Sequence, residues 1–240
     1  LSYEKLSEKR PDLVMVAITG SHDGTTAVDY TINCAVGIPS ITGHVDDPRP
    51  VNHSLPAWDL ICGQTAALGM LAADRYRTQT GEGQLVGLAL SDVALAAVAW
   101  RGDLSEVELG GEERKKLGNY LYGAFGRDFL SLDGRHVMVV VITQRQWDGL
   151  LEATQTQEEV ASLSQRLDLD FTDEGARFQA REELADLFDP WFQSLTLKEI
   201  SERLDKYGVC WGPYRTFSQM LDEDPRCSTE NPMFSKIDQP

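Results

Sequence analysis

Asp59 heads a long apolar stretch, Leu60 to Thr78, in which Ile61, Ala66, Ala67, Leu68, Met70, Leu71 and Ala72 follow one another. Arg75 and Arg77 sit near the end of that stretch, where cations suit a helix dipole, so the pattern predicts a helix that begins beside Asp59. The common role for an aspartate there is the N-cap. The chemistry open to it is that of a carboxylate nucleophile beside amide donors and a positive dipole end, which keep it ionised and stabilise oxyanions. Other candidates fall away. Ser21, His22 and Asp23 are adjacent in a glycine turn and cannot be arranged as nucleophile, base and orienting acid. His22, His44, His53 and His136 lack ligand spacing, and no metal site is expected. Cys34, Cys62, Cys210 and Cys227 are scattered, as reduced thiols would be.

The elements that must position Asp59 read as α/β. A short helical pattern, Ser2 to Lys9, precedes an apolar run from Asp12 to Gly20 that suits a strand buried on both faces of a parallel sheet. After the Asp59 helix come the turn Thr80 to Gln84, a strand from Leu85 to Leu90, and an apolar helix capped by Ser91 that reaches Trp100. The chain starts on a helix without an initiator Met or a preceding strand and is expected to be a fragment of that sheet domain.

Charged residues with Gly110-Gly111 mark a crossing between domains. The expected division is a partial large α/β domain over 1–105, a linker over 106–117, a small α+β domain over 118–225 and a return segment over 226–240. In the small domain one strong strand, Val137 to Ile142, is followed by helical patterns at Gln144 to Thr154, Gln157 to Leu167, Glu174 to Phe188 and Thr196 to Lys206. The last opens with the capping box Thr196-Leu197-Lys198-Glu199. Pro190 is expected to end one helix, and a short helix is expected near Ser218 to Leu221.

Composition bounds the partners. Apolar residues at 42% and charged residues at 25% describe an ordinary globular chain. No apolar run approaches the roughly 18 residues of a membrane span, and there is no signal-peptide pattern at the start, so a cytoplasmic protein is expected. A net charge of -16 argues against nucleic acid as a partner.

An ordered series of segments carries a resemblance over nearly the whole chain. It comprises Ala17 to Gly20 with its glycine turn, Val28-Asp29-Tyr30 leading to Ser40-Ile41-Thr42-Gly43, Trp58-Asp59, and Thr80 to Gln84. Gly118-Asn119 before Tyr122 to Phe125, Asp133-Gly134, Gln146-Trp147, Tyr207-Gly208-Val209, Gly212-Pro213 and Asp224-Pro225 follow. The set resembles class III CoA-transferases.

That resemblance implies a Rossmann-like parallel-sheet domain with a small α+β domain, in an interlocked homodimer. It implies CoA transfer between carboxylates through an aspartyl-CoA thioester on Asp59, with Asp29 orienting groups or carrying protons nearby. CoA enters as part of an acyl-CoA substrate, and no tightly bound cofactor is expected. Gly118, Asn119, Tyr120, Tyr122 and Arg127 are implied in substrate binding. Arg127 is suited to a second substrate carboxylate, and backbone near Gly118 and Gly123 to supplying donors. Val28 stands where the racemase branch has a histidine, which disfavours racemisation. The stretches Val51 to Asp59, Gly118 to Gly123 and Cys227 to Phe234 are similar to a member that moves CoA between two carboxyls of one dicarboxylate. Intermolecular transfer between dicarboxylates is the alternative, and a catalytically silent fragment is a third.

Overall fold

The computed structural model describes residues 2–239. It divides into two units, the first ending at Gly118 and the second beginning at Asn119. In the first unit a short helix α1 (Tyr3–Ser7) leads to strand β1 (Met15–Thr19). Helices α2 (Asp29–Ala35), α3 (Ile38–Ile41) and α4 (Ala57–Thr80) follow, then strand β2 (Leu85–Ala89) and helices α5 (Leu90–Trp100) and α6 (Asp103–Gly110).

β1 and β2 pair in parallel, Met15 opposite Leu85 and Thr19 opposite Ala89, and the connection between them carries α4, as a parallel pair requires. β1 is less buried than its apolar run predicts. Its only partner among the described residues is β2, and Ile18 is 56% exposed. The turn before β2 is fixed by Gly83, whose amide donates to the Pro11 carbonyl while a Cβ there would run into the backbone of Leu13. The core of this unit joins Ile32 of α2, Trp58 and Cys62 of α4, and Leu90, Val93, Ala94 and Val98 of α5.

Two local expectations are corrected here. Ser91 does not cap α5, because β2 runs straight into that helix at Leu90. The Ser91 amide instead donates to the Gly20 carbonyl at the end of β1. The charged stretch beginning at 106 opens within α6, where Arg114 ion-pairs with Asp103 and Glu106.

The second unit is built on an antiparallel sheet of β3 (Phe125–Leu130), β4 (His136–Val141) and β5 (Cys210–Pro213) in that order. Val137, Val139 and Val141 are fully buried and alternate with His136, Met138 and Val140, the period-two pattern of a sheet with one face on a core. Helices α7 (Gln144–Thr154), α8 (Gln157–Leu167), α9 (Glu174–Gln179), α10 (Arg181–Gln193) and α11 (Leu197–Lys206) contribute to that core. The rings of Phe129 and Phe192 stack there at 4.0 Å. The predicted helix from Glu174 to Phe188 is two helices meeting at Ala180. Pro190 does not end the second, because Trp191 and the fully buried Phe192 continue α10 into the core beyond it. Thr196 and Glu199 form the expected capping box, and α12 (Phe217–Glu223) starts on a second box made by Thr216 and Gln219.

Among the described residues no helix is long and apolar enough to cross a membrane.

Candidate active site

The N-cap of α4 is Pro56, which has no side-chain acceptor for the first-turn amides, and Asp59 is the third residue of the helix rather than its cap. The missing acceptor comes from α2. Asp29, only 3% exposed, places its Oδ2 at 2.7 Å from the Trp58 amide and 3.1 Å from the Asp59 amide, so both N–H groups donate to it. A buried carboxylate on a helix N-terminus is favoured by charge-assisted hydrogen bonds and by the dipole.

A second residue of α2 reinforces the joint. Asn33 is fully buried, accepts the Trp58 indole N–H at 3.2 Å and donates its own amide to Asn52 Oδ1 at 3.0 Å. The His53 ring meets the Trp58 indole edge-on at 6.4 Å. The loop before α4 and the helix's first turn are thereby fastened to α2.

Helical spacing then sets which way Asp59 faces. Trp58 and Cys62, four residues apart, form the buried stripe of α4, and Asp59 and Gly63 form the neighbouring stripe, which is exposed. Asp59 opens on a cleft of about 410 Å³ shared with Ile18, Thr19 and Gly20 at the end of β1 and with Cys62 and Gly63. This is the carboxyl end of the parallel strands, where open α/β sheets bind ligands. Gly20 keeps the turn tight, since a Cβ would collide with the Ala27 amide. Burial, and next the Asp59 charge, push the Cys62 thiol up, so it stays neutral beside the carboxylate.

The other expected site residues divide between the units. Gly118, the last residue of the first, donates its amide to the Gly43 carbonyl at 3.1 Å, so that hydrogen is already engaged. Lys116 fastens the same segment by donating to the carbonyls of Asp47 and Arg49. In the second unit Asn119 is exposed, and Arg127 Nη1 donates to the Tyr120 hydroxyl at 3.4 Å. The Arg127 guanidinium lies 5.5 Å from the Tyr120 ring and 5.1 Å from that of Phe129. It already faces a protein carboxylate, Asp189, at 3.7 Å, a group that burial pushes upward against the lowering effect of Arg127. Tyr122 meets Phe178 edge-on at 5.4 Å. The structure thus joins Asp29 with Asp59, and separately Tyr120 with Arg127. Asn33 and Gly63 are absent from the sequence reading, and Trp58 enters it only as part of the resemblance, although the four-residue spacing from Trp58 to Cys62 and from Asp59 to Gly63 carries part of the signal.

Among the described residues no group of three or more His, Cys, Asp or Glu side chains is placed to hold a metal ion. His22, Ser21 and Asp23 lie in a turn in which Asp23 Oδ1 accepts from the Thr25 amide and hydroxyl.

The model of CoA-transferase family III matches residues 1–240. The chain belongs to CoA-transferase family III. It is 50% identical to the 2-methylfumaryl-CoA isomerase of Chloroflexus aurantiacus over all of its length and 59% of that protein's. It is 27% identical to the succinyl-CoA:mesaconate CoA-transferase of Haloarcula hispanica, over 99% of this chain and 59% of that one. The chain therefore spans about three fifths of the length of these family III relatives. Its fold matches a CAIB/BAIF family protein from Brucella suis with a TM-score of 0.71 at 23% identity, over 93% of this chain and 58% of that one. For Rv3272 from Mycobacterium tuberculosis the TM-score is 0.74 at 18% identity, over 97% and 59%.

The capping role of Asp29 has a measurable consequence. Asp29→Ala removes two charge-assisted hydrogen bonds from the start of α4 and is expected to lower stability in urea unfolding by about 1.5–3 kcal/mol. Asp29→Asn keeps an acceptor oxygen and is expected to lose less.

Proposed function

We propose that the whole protein moves CoA between the two carboxyl groups of one methylfumarate, converting 2-methylfumaryl-CoA to 3-methylfumaryl-CoA through a thioester on Asp59. The observation that carries the chemistry is Asp59 itself. It is an exposed carboxylate in the first turn of α4, with its backbone held by buried Asp29, opening on a cleft at the carboxyl ends of parallel strands. The 50% identity over the full chain supports the choice of substrate.

In this reading the Asp59 carboxylate attacks the thioester carbonyl and CoA thiolate leaves, giving a mixed anhydride. The thiolate then attacks the Asp59 acyl carbon, which forms the aspartyl-CoA thioester and releases the first substrate carboxylate. The second carboxylate of the same molecule attacks that thioester, thiolate leaves again and adds to the substrate carbonyl of the new anhydride, and Asp59 is regenerated. The amides of Ala57, Trp58, Asp59 and Leu60 are engaged within the protein, so it is the positive end of the α4 dipole that favours the carboxylate and the oxyanions along this path. Asp29 acts as a positioning residue through the Asp59 backbone. Its Oδ2 accepts both amides, while its buried Oδ1 has no hydrogen-bond partner among the described residues and is the oxygen open to carrying a proton.

Recognition of the acyl group falls to Gly118, Asn119, Tyr120, Tyr122 and Arg127. In the proposal Arg127 exchanges Asp189 for the substrate's second carboxylate, a bidentate partner that a guanidinium fits well. Assembly as a homodimer belongs to the same proposal.

The test supplies 2-methylfumaryl-CoA and isotopically labelled free mesaconate to the whole protein, and follows both thioester regioisomers by chromatography and mass spectrometry. Unlabelled 3-methylfumaryl-CoA is the expected product. Label in the product replaces the intramolecular step with transfer between separate acids, and absence of turnover with either overturns the choice of substrate.

A further inference from the structure

Glycine is the poorest helix former after proline, so a glycine inside a helix calls for a physical reason. α4 contains two interior glycines, Gly63 and Gly69. Packing accounts for Gly69, because a Cβ there would stand 3.0 Å from Val86 Cγ1 of β2. Packing does not account for Gly63. A Cβ there would meet nothing within 4 Å, and its backbone is ordinary right-handed helix, which alanine adopts more readily than glycine.

Among the described residues, the feature that Gly63 adjoins is the cleft of Asp59, which lies one turn earlier on the same stripe of α4. The cleft walls beyond these two residues are Ile18, Thr19, Ala27, Cys62 and Leu90 with the Gly20 backbone, and none carries a cation. With the thiol of Cys62 kept neutral, such a wall suits an uncharged chain better than the phosphates of CoA, whose charges it cannot pair.

We infer that Gly63 is a specificity-determining residue whose missing side chain gives the uncharged thioester end of an acyl-CoA, its sulfur and adjoining methylenes, a path along α4 to Asp59. The helix gives up stability at Gly63 to keep that path open. This inference rests on the reading of Asp59 as the nucleophile.

The test compares Gly63→Ala, Gly63→Leu and Asp59→Ala in the whole protein, measuring Tm together with kcat and KM for the acyl-CoA. Gly63→Ala is expected to raise Tm by about 1–3 °C and to lower kcat/KM at least tenfold, largely through KM. Gly63→Leu is expected to abolish turnover without lowering Tm. A lowered Tm in Gly63→Ala would mean that another part of the protein packs on Gly63, and the inference fails. Unchanged kcat/KM in both Gly63 variants, with Asp59→Ala inactive, overturns the inference alone. An active Asp59→Ala overturns the nucleophile reading and the inference with it.

Discussion

Asp59→Ala is expected to slow acyl-CoA turnover by at least about 10³-fold while leaving the fold intact. The two halves of that expectation come from different features of the same residue. Among the described residues Asp59 is the one carboxylate on the cleft wall, and the Cys62 thiol beside it is kept neutral, so in the proposed reaction nothing there replaces it as nucleophile. Its side chain is not what caps α4, because Asp29 accepts the Trp58 and Asp59 amides. The lost carboxylate is exposed, and substitutions at such positions cost within about 0.5 kcal/mol. A cap residue would instead cost about 1 kcal/mol on replacement. Steady-state rates and thermal melting of the same preparation separate the two roles. Asp59→Asn, which keeps the shape, is expected to be as inactive as Asp59→Ala, because an amide is a poor nucleophile.

Arg177→Ala is expected to destabilise the second unit by about 3–5 kcal/mol, read by urea unfolding. Arg177 is 1% exposed, and among the described residues no carboxylate lies within 4 Å of it. Its guanidinium donates to the Phe171 carbonyl at 3.0 Å, the Ile142 carbonyl at 2.9 Å and Gln144 Oε1 at 3.3 Å, and it lies 5.3 Å from the Trp147 ring. It thus ties the end of β4 to the start of α7 and to the segment before α9. Burial lowers its pKa, the expected direction for a cation taken out of water. Alanine leaves the acceptors unpaired and a void against Trp147. Arg177→Met fills the void but not the acceptors, so it is expected to recover part of the loss.

The local signals of the chain carried most of its helices. α7 and α8 run over the spans that their apolar spacing and flanking residues predict, and Thr196 with Glu199 makes the box that their types announce. The threonine-glutamine boxes at Thr143 and Thr216 use the same spacing and went unread. β3 was obscured because Gly126, Arg127 and Asp128 interrupt its apolar pattern, although Phe125 and Phe129 are buried. β5 is four residues with a glycine and a proline, too short for a periodic signal.

The position of Asp59 at the head of a helix was legible; its support was not. Asp29 caps α4 from 30 residues away, and Asn33 reaches Asn52 and Trp58 across similar separations. Long-range side-chain bonds of this kind leave no spacing in a single sequence. The burial of Asp29 depends on the packing of α2 against α4 and α5, which periodicity does not rank. The same holds for Arg177, whose surroundings converge from three segments.

The most direct test of the account is to trap the acyl-enzyme during turnover. The whole protein, mixed with 2-methylfumaryl-CoA, is quenched with hydroxylamine, digested and sequenced by mass spectrometry. The account predicts a hydroxamate on the side chain of Asp59, dependent on substrate and absent from unreacted protein. A hydroxamate on a different residue, or unmodified Asp59 in protein that is turning over, would contradict it.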